Sequence, residues 1–201
     1  MKNNFIICVT GKSGVGKTMF SKMLSVRLNF FHVDIDKIGH KIYEDPKVVE
    51  EVEKIFNQRF RDSSGNFDRK KLGFALFYSK NPLTVKRFNN FTKIQIQKFV
   101  DKELEMHQNV VLDWVLLPKT KYWNMSDYKI LIKPQKDEQR FIYLKNREGL
   151  SEEYLKLRDN AGMEYDLEKF DFVITNDYLE QDIEENLNKA EQNINTKRGE
   201  R

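Results

Sequence analysis

The sequence predicts an α/β chain built on a doubly wound, five-stranded parallel sheet, and three observations predict it. Short apolar runs alternate with stretches of helical periodicity, the pattern of strand, crossover and strand. The first run, Phe5 to Thr10 (FIICVT), is apolar nearly throughout, as in a strand buried on both faces of a parallel sheet. A glycine-rich stretch, TGKSGVGKT, follows it directly and opens a helix expected from about Lys17 to Leu28.

The remaining elements follow in order. FFHVDID (30–36) reads as a second strand ending in Asp34 and Asp36, and KIGHKIYED as a helix stopping before Pro46. Residues 47–107 are mostly helical, with apolar spacing in VVEEVEKIF, RKKLGFALF and VKRFNNFTKIQIQKFVDKEL, broken at RDSSGNFD and SKNP. Strand three is expected in NVVLDWVLL (109–117), and strand four in YKILIK (128–133), closed by Pro134. A charged helical stretch (135–160), a fifth strand in FDFVITND and a last helix from about Tyr178 to Ile194 complete the pattern. One domain is expected, with its core in 1–46, 108–134 and 161–195, a helical insertion at 47–107, a helical lid at 135–160 and a tail at 196–201.

Composition narrows the function. The 201 residues carry 35 basic and 31 acidic side chains, a net charge of +4, which suits an anionic small molecule better than coating of nucleic acid. No apolar run approaches 18 residues and no signal segment is visible, so a soluble cytoplasmic protein away from membranes, monomeric or weakly self-associating, is expected. The basic end NTKRGER reads as a frayed, solvated tail. The single cysteine, Cys8, excludes an internal disulfide and reads as a small buried hydrophobe. His32, His40 and His107 show no metal-ligand spacing and read as structural or surface residues.

Gly11 to Thr18 match GxxxxGK[ST] in the context that gives the pattern meaning, after a buried strand and before a helix. Backbone N–H groups of Gly11, Lys12, Ser13, Gly14, Val15 and Gly16 would form a nest for nucleotide phosphates at a positive helix end. Lys17 would bridge the outer phosphates, and the Thr18 hydroxyl would ligate Mg²⁺. The pattern alone does not separate kinase, GTPase, motor and switch. A guanine-reading NKxD segment is absent, the nearest stretch being TNDY at 175–178, and the chain is too short for a large helicase-type ATPase.

Carboxylates supply the second constellation. With period two along a strand, Asp34 and Asp36 would point to one side of the strand end, where open α/β sheets bind ligands and where phosphoryl transfer needs a group to orient a hydroxyl and take its proton. Asp36 could also cap the following helix. Asp113, inside an apolar strand, needs compensation, either from Mg²⁺ in the manner of a Walker B acid or from a basic partner. Arg140, Arg147 and Arg158 lie on the charged stretch, as lid arginines that close over phosphates or as solvated surface. Trp114, Tyr122 and Trp123 read as core packing or as an aromatic wall for a ligand.

Together these segments resemble the dephospho-coenzyme A kinases, P-loop kinases related in fold to nucleoside monophosphate kinases, over nearly the whole chain from Phe5 to about Ile194. TGKSGVGKT and VDIDKIGHKIYE match the family's loop and its DxD with the helix after it. GNFDRKKLGFALF (65–77) is similar to its GxxDRxxLxxxxF segment, the most discriminating stretch. FNNFTKI keeps the asparagine of LNxIxHP at Asn89 but has Lys93 and Ile94 in place of His and Pro. LDWVLLPK keeps Asp113, Leu116 and Leu117 of LDVPLLFE, with Val115 and Lys119 in place of Pro and Glu. EQRFIYLKNRE is similar to the lid segment and ends in Arg147 and Glu148, while FDFVITND keeps Asn176 of ADxVIxNxG without its glycine.

The resemblance implies a P-loop kinase with a helical acceptor-binding lobe and lid, transferring the γ-phosphoryl of ATP to the ribose 3′-hydroxyl of dephospho-coenzyme A. It implies Asp36 as the group that activates the hydroxyl, with Lys17, Arg147 and Arg140 also catalytic. Asn176 would lie at the adenine end, and Asp34, Arg69, Asn89, Lys93 and Leu116 on the acceptor side. Thr18 and Asp113 would hold Mg²⁺. A kinase for another nucleoside or nucleotide, and a nucleotide-binding switch without turnover, remain alternatives.

Overall fold

The computed structural model describes residues 4–149, 153, 156, 164–177 and 180–200. Strands β1 (Phe5–Thr10), β2 (Phe31–Asp34), β3 (Asn109–Asp113), β4 (Tyr128–Pro134) and β5 (Phe172–Asn176) form one five-stranded sheet in the order β2-β3-β1-β4-β5. Every pairing is parallel, so the doubly wound sheet is as expected. The strand order reverses about β1, and the carboxyl end of such a strand is where open sheets bind ligands. β1 has β3 and β4 as neighbours and is buried along its whole length, which explains why it alternates nowhere with polar residues.

The chain divides into two units, Met1–Asp34 with Met106–Arg201, and Ile35–Glu105. In the first, α1 (Lys17–Leu28) and α8 (Glu180–Gly199) place Phe20, Leu24, Leu187, Ala190 and Ile194 in one core cluster with Ile7, Val9, Val111 and Ile130 of the sheet. Each such burial contributes about 1.5–3 kcal/mol for a large apolar side chain. α6 (Lys121–Met125) follows β3 after a short 3₁₀ turn, Leu117–Lys119, and α7 (Asp137–Glu148) follows β4.

The second unit holds α2 (Ile35–Lys41), α3 (Pro46–Phe56), α4 (Arg69–Phe77) and α5 (Pro82–Met106, its last residue in the sheet unit). α3 begins where it does because Pro46 sits in its first turn and the Asp45 side chain accepts from Lys47 N–H at 2.9 Å. α4 is capped the same way, Asp68 accepting from Lys71 N–H at 3.0 Å. Val52, Ile55, Phe60, Leu72 and Phe88 form this unit's own core, with Phe56 edge-on to Phe60 at 5.4 Å between ring centroids. The helical unit thus begins at Ile35 and takes in the helix that the sequence had grouped with the sheet.

Three further differences from the sequence expectation have physical causes. β2 stops at Asp34 and α2 starts at Ile35, so Asp36 lies in a helical turn and the period-two pairing of Asp34 with Asp36 does not apply. It is also not the helix cap, since it is already inside the first turn. β3 stops at Asp113, because the chain turns into the 3₁₀ segment containing Pro118 instead of continuing through WVLL. Up to Gly199 the basic end is helix rather than a frayed tail: Lys197 bonds Asp171 at 2.6 Å and lies over the Tyr128 ring, and Arg198 lies over Phe30 at 5.0 Å. The expected start of that helix at Tyr178 lies outside the described residues.

Candidate active site

The glycine-rich loop leaves β1 at its carboxyl end. Gly11 has φ +147°, and a Cβ there would sit 2.1 Å from the Ile132 carbonyl oxygen of β4, so no other residue fits without moving the strand. A Cβ on Gly14 would lie 2.8 Å from Leu144 Cγ, because α7 packs directly on the loop. Gly16, which caps α1, gives the helix no side-chain partner, and that leaves the first-turn N–H groups for an anion. Lys17 is 6% exposed, with its ammonium 3.4 Å from the Lys12 carbonyl oxygen, so the amine lies folded over its own loop. Thr18, partly buried, follows it on the first turn.

Two side chains brace this loop from behind. Asn176, at the end of β5, donates to the Val15 carbonyl at 3.0 Å, and Arg140 of α7 donates to the Ser13 carbonyl at 3.0 Å. Arg140 is fully buried, and its Nε donates to Asp137 at 2.8 Å. Asp137 in turn stands 3.8 Å from Lys12. The structure therefore shows Arg140 and Asn176 gripping loop carbonyls, contacts that the sequence did not reveal. Arg147 is exposed near the end of α7, with its guanidinium 5.4 Å from the Tyr143 ring centre. Arg158 lies outside the described residues.

Asp113 is the register partner of Val9, two residues before Gly11, so its carboxylate stands one strand from the base of the loop. It is 1% exposed, and neither oxygen has a hydrogen-bond partner among the described residues. Such a carboxylate is costly to bury unless a cation or its bound water comes to it. Asp34 is its register partner on β2, and His32 approaches Asp113 Oδ2 to 3.8 Å through Nε2. Among the described residues no three His, Cys, Asp or Glu side chains gather as metal ligands. An ion beside this loop would therefore depend on phosphate oxygens and water, with Thr18 and Asp113 as the side chains that fit.

Within the helical unit, Asp36 is exposed in the first turn of α2, where the helix dipole favours a carboxylate. Arg69 opens α4. Burial pushes the Tyr43 phenol up to about 12, against the pull of the Arg69 charge, and its ring stacks on Phe67 at 4.5 Å. Asn89 and Lys93, one turn apart on α5, are both exposed on one side of that helix. Leu116 is exposed in the turn after β3, in the sheet unit. Of the aromatic trio, Tyr122 is core, whereas Trp123 meets Phe170 edge-on at 5.1 Å and lines a cavity of about 410 Å³ with Pro118, Tyr165 and Lys169.

Comparison with known proteins decides the family. The family model for dephospho-CoA kinase matches residues 5–182, from β1 through the loop and the helical unit into α8. The chain belongs to the dephospho-CoA kinase family. The dephospho-CoA kinase of Borreliella burgdorferi is 29% identical over 66% of this chain and 63% of its own length, so that match spans less than two thirds of the relative. A dephospho-CoA kinase structure from Campylobacter jejuni aligns over 100% of both chains with 27% identity and a TM-score of 0.64. A crystal structure from Thermus thermophilus, 23% identical and covering 94% of this chain and 97% of its own, shares the fold with a TM-score of 0.75.

His32, which the sequence reads as a structural or surface residue, stands 3.8 Å from Asp113 with 13% of its side chain exposed. The signal was there in part, since His32 and Asp34 alternate on one side of β2. Its partner on β3 is distant in sequence, and no spacing rule links the two. Among the described residues no helix is long and apolar enough to cross a membrane.

Proposed function

We propose that this member of the dephospho-CoA kinase family transfers the γ-phosphoryl group of ATP to the ribose 3′-hydroxyl of dephospho-coenzyme A. The observation that carries this reading is the match of one family model over residues 5–182, a range holding the phosphate loop, Asp36 and the GNFDRKKL segment together. A cytoplasmic setting and small-molecule partners, without nucleic acid, go with it.

In the proposed reaction the hydroxyl oxygen bonds to the γ-phosphorus as the bond to the β–γ bridging oxygen breaks, and ADP leaves. Loop N–H groups and Lys17 hold the β- and γ-phosphates, replacing water with fixed donors that keep pace with the developing charge. Asp36 orients the attacking hydroxyl and takes its proton. Arg147 steadies charge on the transferring group, while Arg140 acts through the loop carbonyl that it holds. Thr18 and Asp113 would hold Mg²⁺, which when bound neutralises charge on the β- and γ-phosphate oxygens. Arg69, Asn89, Lys93, Asp34 and Leu116 are proposed to bind the acceptor, and Lys93 brings a positive charge suited to the acceptor's phosphates.

The test is ADP release from ATP in the presence of dephospho-coenzyme A, with the product's new phosphate located by NMR. Phosphorylation of the 3′-hydroxyl is expected. Release stimulated by a nucleoside but not by dephospho-coenzyme A removes the acceptor assignment, and release stimulated by neither favours a nucleotide binder.

A further inference from the structure

We propose that His32 is a positioning residue for Asp113: its Nε2–H holds one carboxylate oxygen, so that the other is presented in a fixed direction beside the phosphate loop. The inference rests on the reading of Asp113 as a residue that holds the nucleotide-bound divalent ion.

Two kinds of buried atom here lack hydrogen-bond partners among the described residues, Nε2 of His32 and both oxygens of Asp113, and Nε2 stands 3.8 Å from Oδ2. A buried donor and a buried acceptor left apart each carry a desolvation penalty, and closing the gap to a normal N–H···O distance removes both. Catalytic hydrogen bonds are often long without ligand and tighten when it binds. The strand register makes the closure natural. Asp34 stands opposite Asp113 and His32 opposite Val111, so the imidazole reaches along the strands toward the carboxyl end, on the sheet face covered by α1. A bond to Oδ2 leaves Oδ1 oriented, as partners beyond the coordinating atoms commonly orient ligand groups in metal sites.

A neutral imidazole suffices, since one N–H is all that the role requires. His32 side-chain exposure is 13% and that of Asp113 is 2%, so bulk water competes little for the bond. Asp34, the register partner of Asp113, places a second carboxylate at this strand end.

The experiment is a Mn²⁺ titration of the full chain with ADP, followed by electron paramagnetic resonance of free Mn²⁺, for wild type, His32→Leu, His32→Gln, Asp113→Asn and the double variant His32→Leu/Asp113→Asn. His32→Leu should weaken Mn²⁺ binding by about 10- to 100-fold, the range for lost partners of ligand side chains. His32→Gln, which keeps an N–H donor, should recover most of it, and the double variant should bind no more weakly than Asp113→Asn alone. Wild-type Mn²⁺ affinity in His32→Leu, with weakened affinity in Asp113→Asn, overturns the role of His32 and leaves Asp113 in place. Unchanged affinity in Asp113→Asn removes the metal reading of Asp113 and this inference with it. Equal losses in His32→Leu and His32→Gln, matched by equal drops in melting temperature in EDTA, mark His32 as structural packing only and also overturn the proposal.

Discussion

Gly11→Ala perturbs the loop at the point where it is most tightly held. The new Cβ would start 2.1 Å from the Ile132 carbonyl oxygen, whereas real Cβ contacts stay beyond 3.0 Å, and the obstacle is strand backbone rather than a flexible side chain. Relief therefore requires the loop to shift by about 1 Å, a displacement that, if the loop positions a transferring phosphoryl group as proposed, costs on the order of 10²-fold in rate. The φ of +147° adds strain for any L side chain. Overpacking of about 1–3 kcal/mol and backbone strain of about 1–3 kcal/mol together predict a stability loss of about 2–6 kcal/mol. For a chain of this size that lowers Tm by roughly 5–20 °C. Thermal unfolding followed by circular dichroism, with and without a non-hydrolysable ATP analogue, reads stability and nucleotide affinity, and ADP release reads the rate. A variant with unchanged Tm and unchanged nucleotide affinity would refute the packing argument, because a loop able to absorb a methyl group there is not the rigid phosphate nest described above.

Other variants separate the remaining roles. Asp36→Asn should lower kcat by at least ~10² while leaving ATP affinity within about twofold, as for a lost general base; steady-state kinetics with both substrates reads it, and an active variant removes Asp36 from the role. Arg140→Met leaves the Ser13 carbonyl without its donor and should cost about 1–3 kcal/mol of stability, together with weaker nucleotide binding; unfolding by urea and calorimetric titration with ADP check the two, and a change confined to kcat would instead place the guanidinium on the transferring phosphate. Burial pushes the Cys8 thiol up to about 12 from 9.0, so the unfolded chain loses that proton first as pH rises. Between about pH 9 and pH 12 stability should fall by about 1.4 kcal/mol per pH unit from this group, and none of that loss should appear below pH 8. Cys8→Ala should remove this part of the alkaline slope in urea titrations.

How much of this was legible depends on whether a feature is local. β1 and the course of the loop into α1 were legible because burial on both faces leaves a continuous apolar run, and because the loop's glycines meet backbone and side chains close to where a Cβ would sit. The family was legible for the same reason: its segments are contiguous, and GNFDRKKLGFALF folds as a capped turn and helix of its own. The end of β2 was missed, since VDID alternates as a strand would, yet α2 starts at Ile35. The tail was misjudged because Lys197 and Arg198 find Asp171, Tyr128 and Phe30, residues that only the folded chain brings to them.

The two features least visible in the sequence are also the ones that make the loop more than a motif. GxxxxGK[ST] specifies a backbone path, but a path is useful in phosphoryl transfer only if it holds its shape when a highly charged ligand arrives. In this chain that rigidity comes from side chains outside the pattern, Arg140 on the Ser13 carbonyl and Asn176 on the Val15 carbonyl, each binding an acceptor that would otherwise face the buried side of the loop. Asp113 stands in the complementary condition, buried without a hydrogen bond among the described residues and with His32 Nε2 3.8 Å away, so it would gain from a cation or its water. Held Ser13 and Val15 carbonyls beside a buried acid with no hydrogen bond among the described residues would suit a nucleotide that arrives with its metal, as proposed above, and substitutions at Arg140 or His32 should then change ligand affinity without touching a residue of the phosphate-loop pattern.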